Sequence, residues 1–166
     1  MTQPAQPAEP AEPEADRRWL VEAISLSRCC PPSRTAYSVG AVLVAADGSV
    51  LSTGYSRETA PADHAEEAAL AKLGLPAAGA AGPELAAATL YSSLEPCAVR
   101  ASRTVPCADL IIASGIRRVV FAWTEPPLLA PGGGAGRLRA AGVEVMEMPE
   151  LAASAREVNA QLLKGY

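Results

Sequence analysis

The chain has 166 residues, a formal net charge of −4, 49% hydrophobic composition, four cysteines and one histidine. This length suits one domain with one buried core, and the cysteines are too few for a disulfide framework. The acidic balance makes nucleic acid an unlikely partner, and no apolar stretch approaches the about 20 residues of a membrane helix, so we expect a soluble, cytoplasmic protein that acts on a small molecule.

Residues 1–15 are rich in Pro, Ala and Glu, and four prolines recur at every third position from Pro4 to Pro13. A segment of this composition has little apolar surface to bury and favours an extended conformation, so we expect a disordered tail. The same spacing matches a PxxP docking peptide, which stays open as the alternative. The rest of the chain, residues 16–166, is the predicted folded domain.

The first predicted helix runs from Asp16 to about Cys29 with its apolar residues on one face, and Pro31-Pro32 ends it. Two apolar runs, 39–45 and 50–56, follow and are separated by a turn that contains Asp47-Gly48. An Asp-Gly pair between apolar runs is typical of a tight turn, so these runs predict an antiparallel hairpin.

Helices and strands alternate over the remainder of the chain. Asp63 is the predicted cap of a helix that Gly74 ends, and residues 76–87, rich in Ala, Gly and Pro, are a predicted surface connection. The later elements are predicted as strands 88–92, 117–123 and 143–146 and helices 106–114, 136–141 and 150–164. Because helical crossovers make the strands they join parallel, we expect an α/β fold, a three-layer α/β/α sandwich around a mixed five-stranded sheet.

Three candidate metal ligands lie at helix starts and strand ends. His64 opens the second predicted helix, Cys97 follows the third strand, and Cys107 opens the third helix. Sites gather beyond the carboxyl ends of parallel strands, and helix N-termini favour thiolates, so these groups can bind one zinc ion that keeps a water as its fourth ligand. Glu66 can reach that water only if His64 lies at an irregular first turn, because residues two apart do not share a helix face.

The motifs His64-Ala65-Glu66, Leu94-Glu95-Pro96-Cys97 and Pro106-Cys107 resemble the signature of the zinc-dependent cytidine/deoxycytidylate deaminase superfamily. Nine residues separate the cysteines, and this longer gap, closed by Arg103-Thr104, is similar to the pyrimidine deaminase domain of riboflavin biosynthesis. The similarity extends to Glu157-Val158-Asn159, after which bifunctional members continue into a reductase domain. The chain ends near this point, so we expect a stand-alone deaminase with the cytidine-deaminase-like fold.

The resemblance implies a role for each motif residue. His64, Cys97 and Cys107 would bind one Zn²⁺ per chain. Glu66 would take a proton from the zinc-activated water, deliver it to a ring nitrogen, and then protonate the leaving amine in a second transfer. The backbone N–H of Ala65 would donate to a ring carbonyl. Apart from the resemblance, the residues themselves suggest Ser38, Glu95, Arg103, Thr104 and Trp123 as candidate substrate contacts. The substrate would be the diaminohydroxyphosphoribosylaminopyrimidine of riboflavin biosynthesis, and the protein would be a homodimer or a higher homo-oligomer.

Departures from the riboflavin pattern keep alternatives open. Tyr37-Ser38 stands where the family has Asn-Pro-Asn, Ala98-Val99-Arg100 replaces two histidines, and Thr124-Glu125-Pro126-Pro127 replaces Asp-Pro-Asn-Pro. A deaminase of a free base, nucleoside or nucleotide is therefore one alternative. A second is a structural zinc module with Cys29 or Cys30 as fourth ligand, and a third is an RNA deaminase, which would need a basic surface.

Overall fold

A five-stranded mixed sheet forms the centre of the computed structural model, which describes residues 13–74 and 82–166. The strands are β1 (Gly40–Val44), β2 (Val50–Tyr55), β3 (Thr89–Leu94), β4 (Arg118–Trp123) and β5 (Glu144–Glu147). The helices are α1 (Pro13–Ser27), α2 (Ala65–Ala71), α3 (Pro83–Ala86), α4 (Cys107–Ser114), α5 (Gly134–Ala140), α6 (Ala152–Val158) and α7 (Ala160–Leu163), with a 3-10 turn at Pro149–Leu151.

The strand order is β2-β1-β3-β4-β5. The hairpin β1–β2 and the pair β1–β3 are antiparallel, whereas β3–β4 and β4–β5 are parallel. The parallel pairs follow from the helical crossovers through α4 and α5. Helices α1 and α6 pack together and against the sheet, while α2, α4 and α5 form a second packed set. These relationships confirm the predicted three-layer fold and the mixed sheet.

Two glycines allow close approach of the elements that carry the site. A Cβ atom at Gly54, in β2, would overlap the backbone of α2 at Ala65. A Cβ atom at Gly134, the first residue of α5, would overlap the carbonyl of Pro96. Because glycine has no Cβ, both contacts form without displacement of the backbone. They place α2 against the hairpin and the segment after β3 against α5.

Several element boundaries differ from the predictions, and three of the differences concern the helices α1, α2 and α6. Helix α1 begins at Pro13 instead of Asp16, since proline is tolerated in the first turn of a helix. Helix α2 is capped by His64 and not by Asp63, whose carboxylate accepts hydrogen bonds from the backbone of Thr59 and Ala60. The predicted closing helix is interrupted at Asn159, which ends α6 and precedes α7.

Other predictions fall partly outside the described residues. Residues 1–12, which hold most of the predicted tail and its PxxP spacing, are not among them, and neither are residues 75–81 of the predicted surface connection. The last part of that connection contains the short helix α3. Within the described residues, no helix is both long and apolar enough to cross a membrane.

Candidate metal centre and active site

One imidazole nitrogen and two sulfurs converge at the carboxyl ends of the parallel strands. The Nδ1 atom of His64 lies 3.6 Å from the Sγ atom of Cys97 and 3.5 Å from that of Cys107. The ligand atoms of all three side chains lie within 4.8 Å of one another. The predicted convergence of three separate segments is therefore present in the fold.

The local backbone explains how each ligand reaches the cluster. His64 is the N-cap of α2 and has an extended conformation, with φ −95° and ψ 157°. Cys107 is the first residue of α4, and its N–H donates to the sulfur of Cys97 over 3.3 Å. The N–H of Ala108 donates to the carbonyl of Cys97 over 3.0 Å. The free N–H groups at the start of α4 thus hold the segment after β3 in place.

The two cysteine sulfurs shift each other's pKa in opposite directions. Hydrogen bonds from Cys107 and His64 hold the pKa of the Cys97 thiol well below its usual range. The hydrogen bond to Cys97, together with burial, raises the pKa of Cys107. Two adjacent buried thiolates require a cation beside them, so this pair suits a metal ion that binds both sulfurs in the thiolate form.

The donor set fits zinc with one coordination position left open. Two sulfurs and an imidazole nitrogen are zinc ligands, and catalytic zinc sites use three protein ligands and a water. The described residues include all four cysteines and the histidine, and neither Cys29 nor Cys30 belongs to the cluster. The Cys30 thiol instead donates to the carbonyl of Val39 over 3.4 Å, and Cys29 is exposed. This arrangement argues against a structural zinc module with four protein ligands.

Glu66 lies beside the cluster in a buried position. Its side chain is 3% exposed, and Oε1 accepts a hydrogen bond of 3.0 Å from Oγ of Ser92. Burial, and then the charge of Cys97, raise the pKa of the Glu66 carboxyl above its ordinary value. Because His64 is the extended N-cap and precedes the regular helix, its side chain and that of Glu66 line the same cavity. His64 thus lies outside the regular turns of α2, as the prediction for Glu66 required.

A cavity of about 260 Å³ lies over the cluster and is lined by His64, Glu66 and Cys97. Glu95 also lines it, but both of its carboxylate oxygens accept backbone hydrogen bonds, from the N–H of Glu125 at 2.9 Å and from that of Ala135 at 2.8 Å. Glu95 therefore joins the segment after β4 to the start of α5. In this structure its hydrogen bonds position the cavity wall.

The other predicted substrate contacts lie around the cavity. Ala65 is the buried first residue of α2, and an N–H at that position has no partner within its helix. Arg103 pairs with Asp63 over 3.1 Å and with Glu67 over 2.7 Å. Ala65 and Arg103 are outside the cavity lining. So are Ser38, which bonds to Arg57 and Asn159; Thr104, which is exposed; and Trp123, which is buried against the ring of Tyr37.

Sequence reasoning missed Glu125, which lines the cavity and is 8% exposed. Its Oε2 atom is buried and has no hydrogen-bond partner among the described residues. Burial, the charge of Cys97 and the charge of Glu95 raise the pKa of the Glu125 carboxyl from 4.5 to about 7. Its position just after the parallel strand β4, where sites gather, was the signal that could have identified it.

Arg100 is a second cavity residue that the sequence did not single out for a role. Its side chain is 2% exposed and pairs with Glu67 over 3.1 Å. It also donates to the carbonyl of Ala62 over 2.6 Å. These bonds connect the segment between the two cysteines to the segment that precedes α2, so Arg100 holds two walls of the cavity together.

The fold and the site together define a class: an α/β/α domain in which three candidate metal ligands cluster beside a buried carboxylate. The protein-family model for the cytidine and deoxycytidylate deaminase zinc-binding region matches residues 13–123 of this chain. The chain therefore belongs to this deaminase family, as the motifs predicted.

The proteins similar to this chain include riboflavin biosynthesis proteins. The diaminohydroxyphosphoribosylamino-pyrimidine deaminase of Schizosaccharomyces pombe is 37% identical over 131 residues, which cover 78% of this chain and 31% of the relative. The chain thus spans about a third of that relative's length. Acinetobacter baumannii RibD superposes with a TM-score of 0.75 at 30% identity, over 92% of this chain and 40% of RibD. Aspergillus oryzae Rib2 deaminase in complex with DARIPP superposes with a TM-score of 0.69 at 26% identity, over 92% and 100% of the two chains.

Proposed function

We propose that this protein is a zinc-dependent hydrolytic deaminase that acts on a small amino-substituted heterocycle. One observation carries the proposal: His64, Cys97 and Cys107 converge beside the buried carboxylate of Glu66, in a cavity of about 260 Å³. We propose that these three side chains bind one zinc ion per chain. Family membership supports both proposals, because the matching region is named for zinc binding.

Zinc bound by such a set lowers the pKa of a bound water from about 16 to about 7 and so supplies hydroxide near neutral pH. The chain's own contribution is proton transfer and orientation. Ser92 fixes Oε1 of Glu66. The carboxylate would accept one proton of the attacking water and give it to the ring nitrogen, and would then carry the water's second proton to the leaving amine. Burial favours the protonated form of Glu66 and so helps it to hold the proton between these steps.

The first candidate substrate is the diaminohydroxyphosphoribosylaminopyrimidine of riboflavin biosynthesis. The name of the Schizosaccharomyces pombe relative supports it. In this proposal the N–H of Ala65 donates to the ring carbonyl. Glu95 and Trp123 support the cavity lining, Glu95 through its bonds to Glu125 and Ala135 and Trp123 through its contact with Tyr37. Ser38 would contribute through its bonds to Arg57 and Asn159. Arg103 and Thr104, which are exposed and follow the lining residue Ser102, would receive the phosphate.

The second candidate substrate is a free base, a nucleoside or a nucleotide without the phosphoribosylamino group. Three observations favour keeping it. Ala98-Val99-Arg100 stands in place of the two histidines of the riboflavin pattern. Glu125 adds an unpaired carboxyl to the cavity, and Arg103 is paired with Asp63 and Glu67. An RNA substrate is less favoured, because the net charge is −4 and RNA binding relies on clustered cations.

An ammonia-release screen over aminopyrimidines, their ribosyl phosphates, aminopurines, nucleosides and nucleotides tests the proposal, with the zinc content of each preparation measured. We expect release from one substrate class, at a rate that depends on zinc and is lost in Glu66→Ala. A zinc-loaded protein that releases no ammonia from any of these classes would contradict the proposed activity.

Homodimer formation and a cytoplasmic location are further proposals. Sedimentation equilibrium tests whether the protein forms a homodimer.

A further inference from the structure

One wall of the cavity has no regular structure of its own. Residues 31–38, here called the pocket wall, connect α1 to β1 without a helix or strand. Thr35, Ala36 and Tyr37 of this segment line the same cavity as His64 and Glu66. Without a helical or sheet hydrogen-bond network inside it, the pocket wall depends for its position on bonds to other elements.

Arg57 supplies bonds to the pocket wall from the hairpin side. Its guanidinium donates to the carbonyl of Pro31 over 2.7 Å, to the carbonyl of Tyr37 over 2.9 Å and to Oγ of Ser38 over 2.9 Å. Both ends of the segment are therefore tied to one side chain. The backbone of Arg57 has φ +61°, which among the described residues is the one left-handed value at a residue other than glycine. Such a conformation costs about 1 kcal/mol or more and persists where surrounding contacts impose it.

Asn159 supplies bonds from the C-terminal helices. Its Oδ1 atom accepts the N–H of Ser38 over 2.7 Å, and its Nδ2 atom donates to the carbonyl of Ser38 over 3.0 Å. Nδ2 also donates to the carbonyl of Ala155 over 3.0 Å. The side chain is buried at the break between α6 and α7. The amide thus fixes the backbone of the pocket wall to the last helices of the fold.

We propose that Arg57 and Asn159 are positioning residues of the substrate cavity. They hold the pocket wall from two sides, at Ser38 and at the neighbouring carbonyl of Tyr37, and so keep Tyr37 in the cavity lining. The ring of Tyr37 meets the ring of Trp123 edge to face, with 5.7 Å between centroids and 84° between planes. Removal of either residue should release Tyr37 from this contact and weaken substrate binding, while the metal ligands stay on α2, α4 and the segment after β3.

A fluorescence experiment that needs no substrate tests whether Arg57 and Asn159 hold the pocket wall in place. In a Trp19→Phe background, Trp123 is the one remaining tryptophan, because the chain has two. We expect Arg57→Ala and Asn159→Ala to raise the acrylamide quenching constant of Trp123 by about twofold or more, because local opening exposes the indole. Arg34→Ala, an exposed site within the pocket wall, and Arg156→Ala, an exposed site on α6, are the matched controls and should match the parent.

A kinetic experiment tests the consequence for the proposed deaminase activity and rests on that function. We expect KM to rise about tenfold in each alanine variant while kcat changes less than about threefold and the zinc content stays the same, because the loss falls on substrate positioning and not on the metal. In the double variant, the loss of substrate-binding free energy should be smaller than the sum of the losses in the two single variants, because both residues hold the same segment. Arg57→Lys, which keeps a cationic donor, and Asn159→Gln, which keeps an amide that can donate and accept, should give intermediate KM values and serve as the test if the alanine variants unfold.

Unchanged quenching of Trp123 in folded variants would overturn the proposal, whatever the substrate. A fall in kcat with loss of zinc, at constant KM, would overturn it as well, since Arg57 and Asn159 would then support the metal site. If the parent protein proves inactive toward every class of heterocycle, the proposed function fails, whereas raised quenching would still establish the two residues as the supports of the wall.

Discussion

Ser92, in the middle of β3, donates a hydrogen bond of 3.0 Å from its Oγ atom to Oε1 of Glu66, the second residue of α2. Both side chains are buried, so the bond fixes the carboxylate between the sheet and the metal ligands. A group that must take and return a proton gains from such a fixed position, because the geometry of proton transfer decides its rate. This relationship gives Glu66 a defined orientation before any substrate binds.

We predict that Glu66→Ala retains zinc and loses turnover by about a thousandfold or more, because general acid–base catalysis contributes about 10² to 10⁴ in rate. Ser92→Ala should cost less, about tenfold, because it frees the carboxylate without removing it. Ammonia release together with metal analysis checks both variants. Glu84→Gln, at an exposed site on α3, is the control. Turnover near the parent rate in Glu66→Ala would remove this residue from the mechanism.

We predict that His64→Ala, Cys97→Ser and Cys107→Ser each lose zinc and activity, because each removes one of three protein ligands from a site that fits four-coordinate zinc. Cys29→Ser and Cys30→Ser are matched controls, since neither residue belongs to the cluster, and they should keep about one zinc per chain. Metal analysis after dialysis provides the measurement. Loss of zinc in the Cys30 variant would instead support a fourth protein ligand.

We predict a pH-dependent stability difference between the parent and Glu125→Gln. The folded protein raises the pKa of the Glu125 carboxyl from 4.5 to about 7, mainly through burial. The folded state therefore binds this proton more tightly than the unfolded state, and the contribution of Glu125 to the free energy of unfolding falls as pH rises through that range. Glutamine does not titrate in this range, so the free energy of unfolding of Glu125→Gln should increase relative to that of the parent as the pH rises.

Urea unfolding at several values between about pH 5 and about pH 8 measures this difference. Glu150→Gln, on the exposed side of the 3-10 turn, is the control and should track the parent at each pH. A constant difference between the parent and Glu125→Gln over this range would show that the carboxyl of Glu125 does not titrate there.

We predict that Arg118→Met destabilises the fold by about 3 kcal/mol or more, because it leaves a buried carboxylate without its partner. Asp16 is 1% exposed, and its two oxygens receive the guanidinium of Arg118 at 2.8 Å each. Tyr91→Phe removes only the hydroxyl that donates to Asp16 over 2.8 Å and should cost about 1 kcal/mol. Urea unfolding gives both values, with the exposed Arg117→Met as control. Equal stability of the Arg118 and Arg117 variants would contradict the role of this pair.

Local signals in the sequence were sufficient to single out the three side chains that cluster in the fold. His64 stands at a helix start with Glu66 two residues later, and both Cys97 and Cys107 follow prolines at the ends of elements. Each motif couples a side-chain type to a backbone position, so its chemistry is readable without the fold. The alternation of strands and helices likewise predicted the layers, because crossovers fix the direction of the strands they join.

Only the tertiary structure decided which residues surround the ligands and what they do. Asn159 meets Ser38 across 121 residues of chain, and Glu95 accepts the N–H of Glu125 across 30. The sequence predicted Ser38 and Glu95 as substrate contacts. In the structure, their hydrogen bonds instead connect the segments that form the walls of the cavity. It gave Glu125 no role, although the fold buries this carboxyl in the lining. A motif is fixed by neighbours a few residues away, whereas the partner of a buried polar group is set by how distant segments pack, and no local pattern encodes that packing.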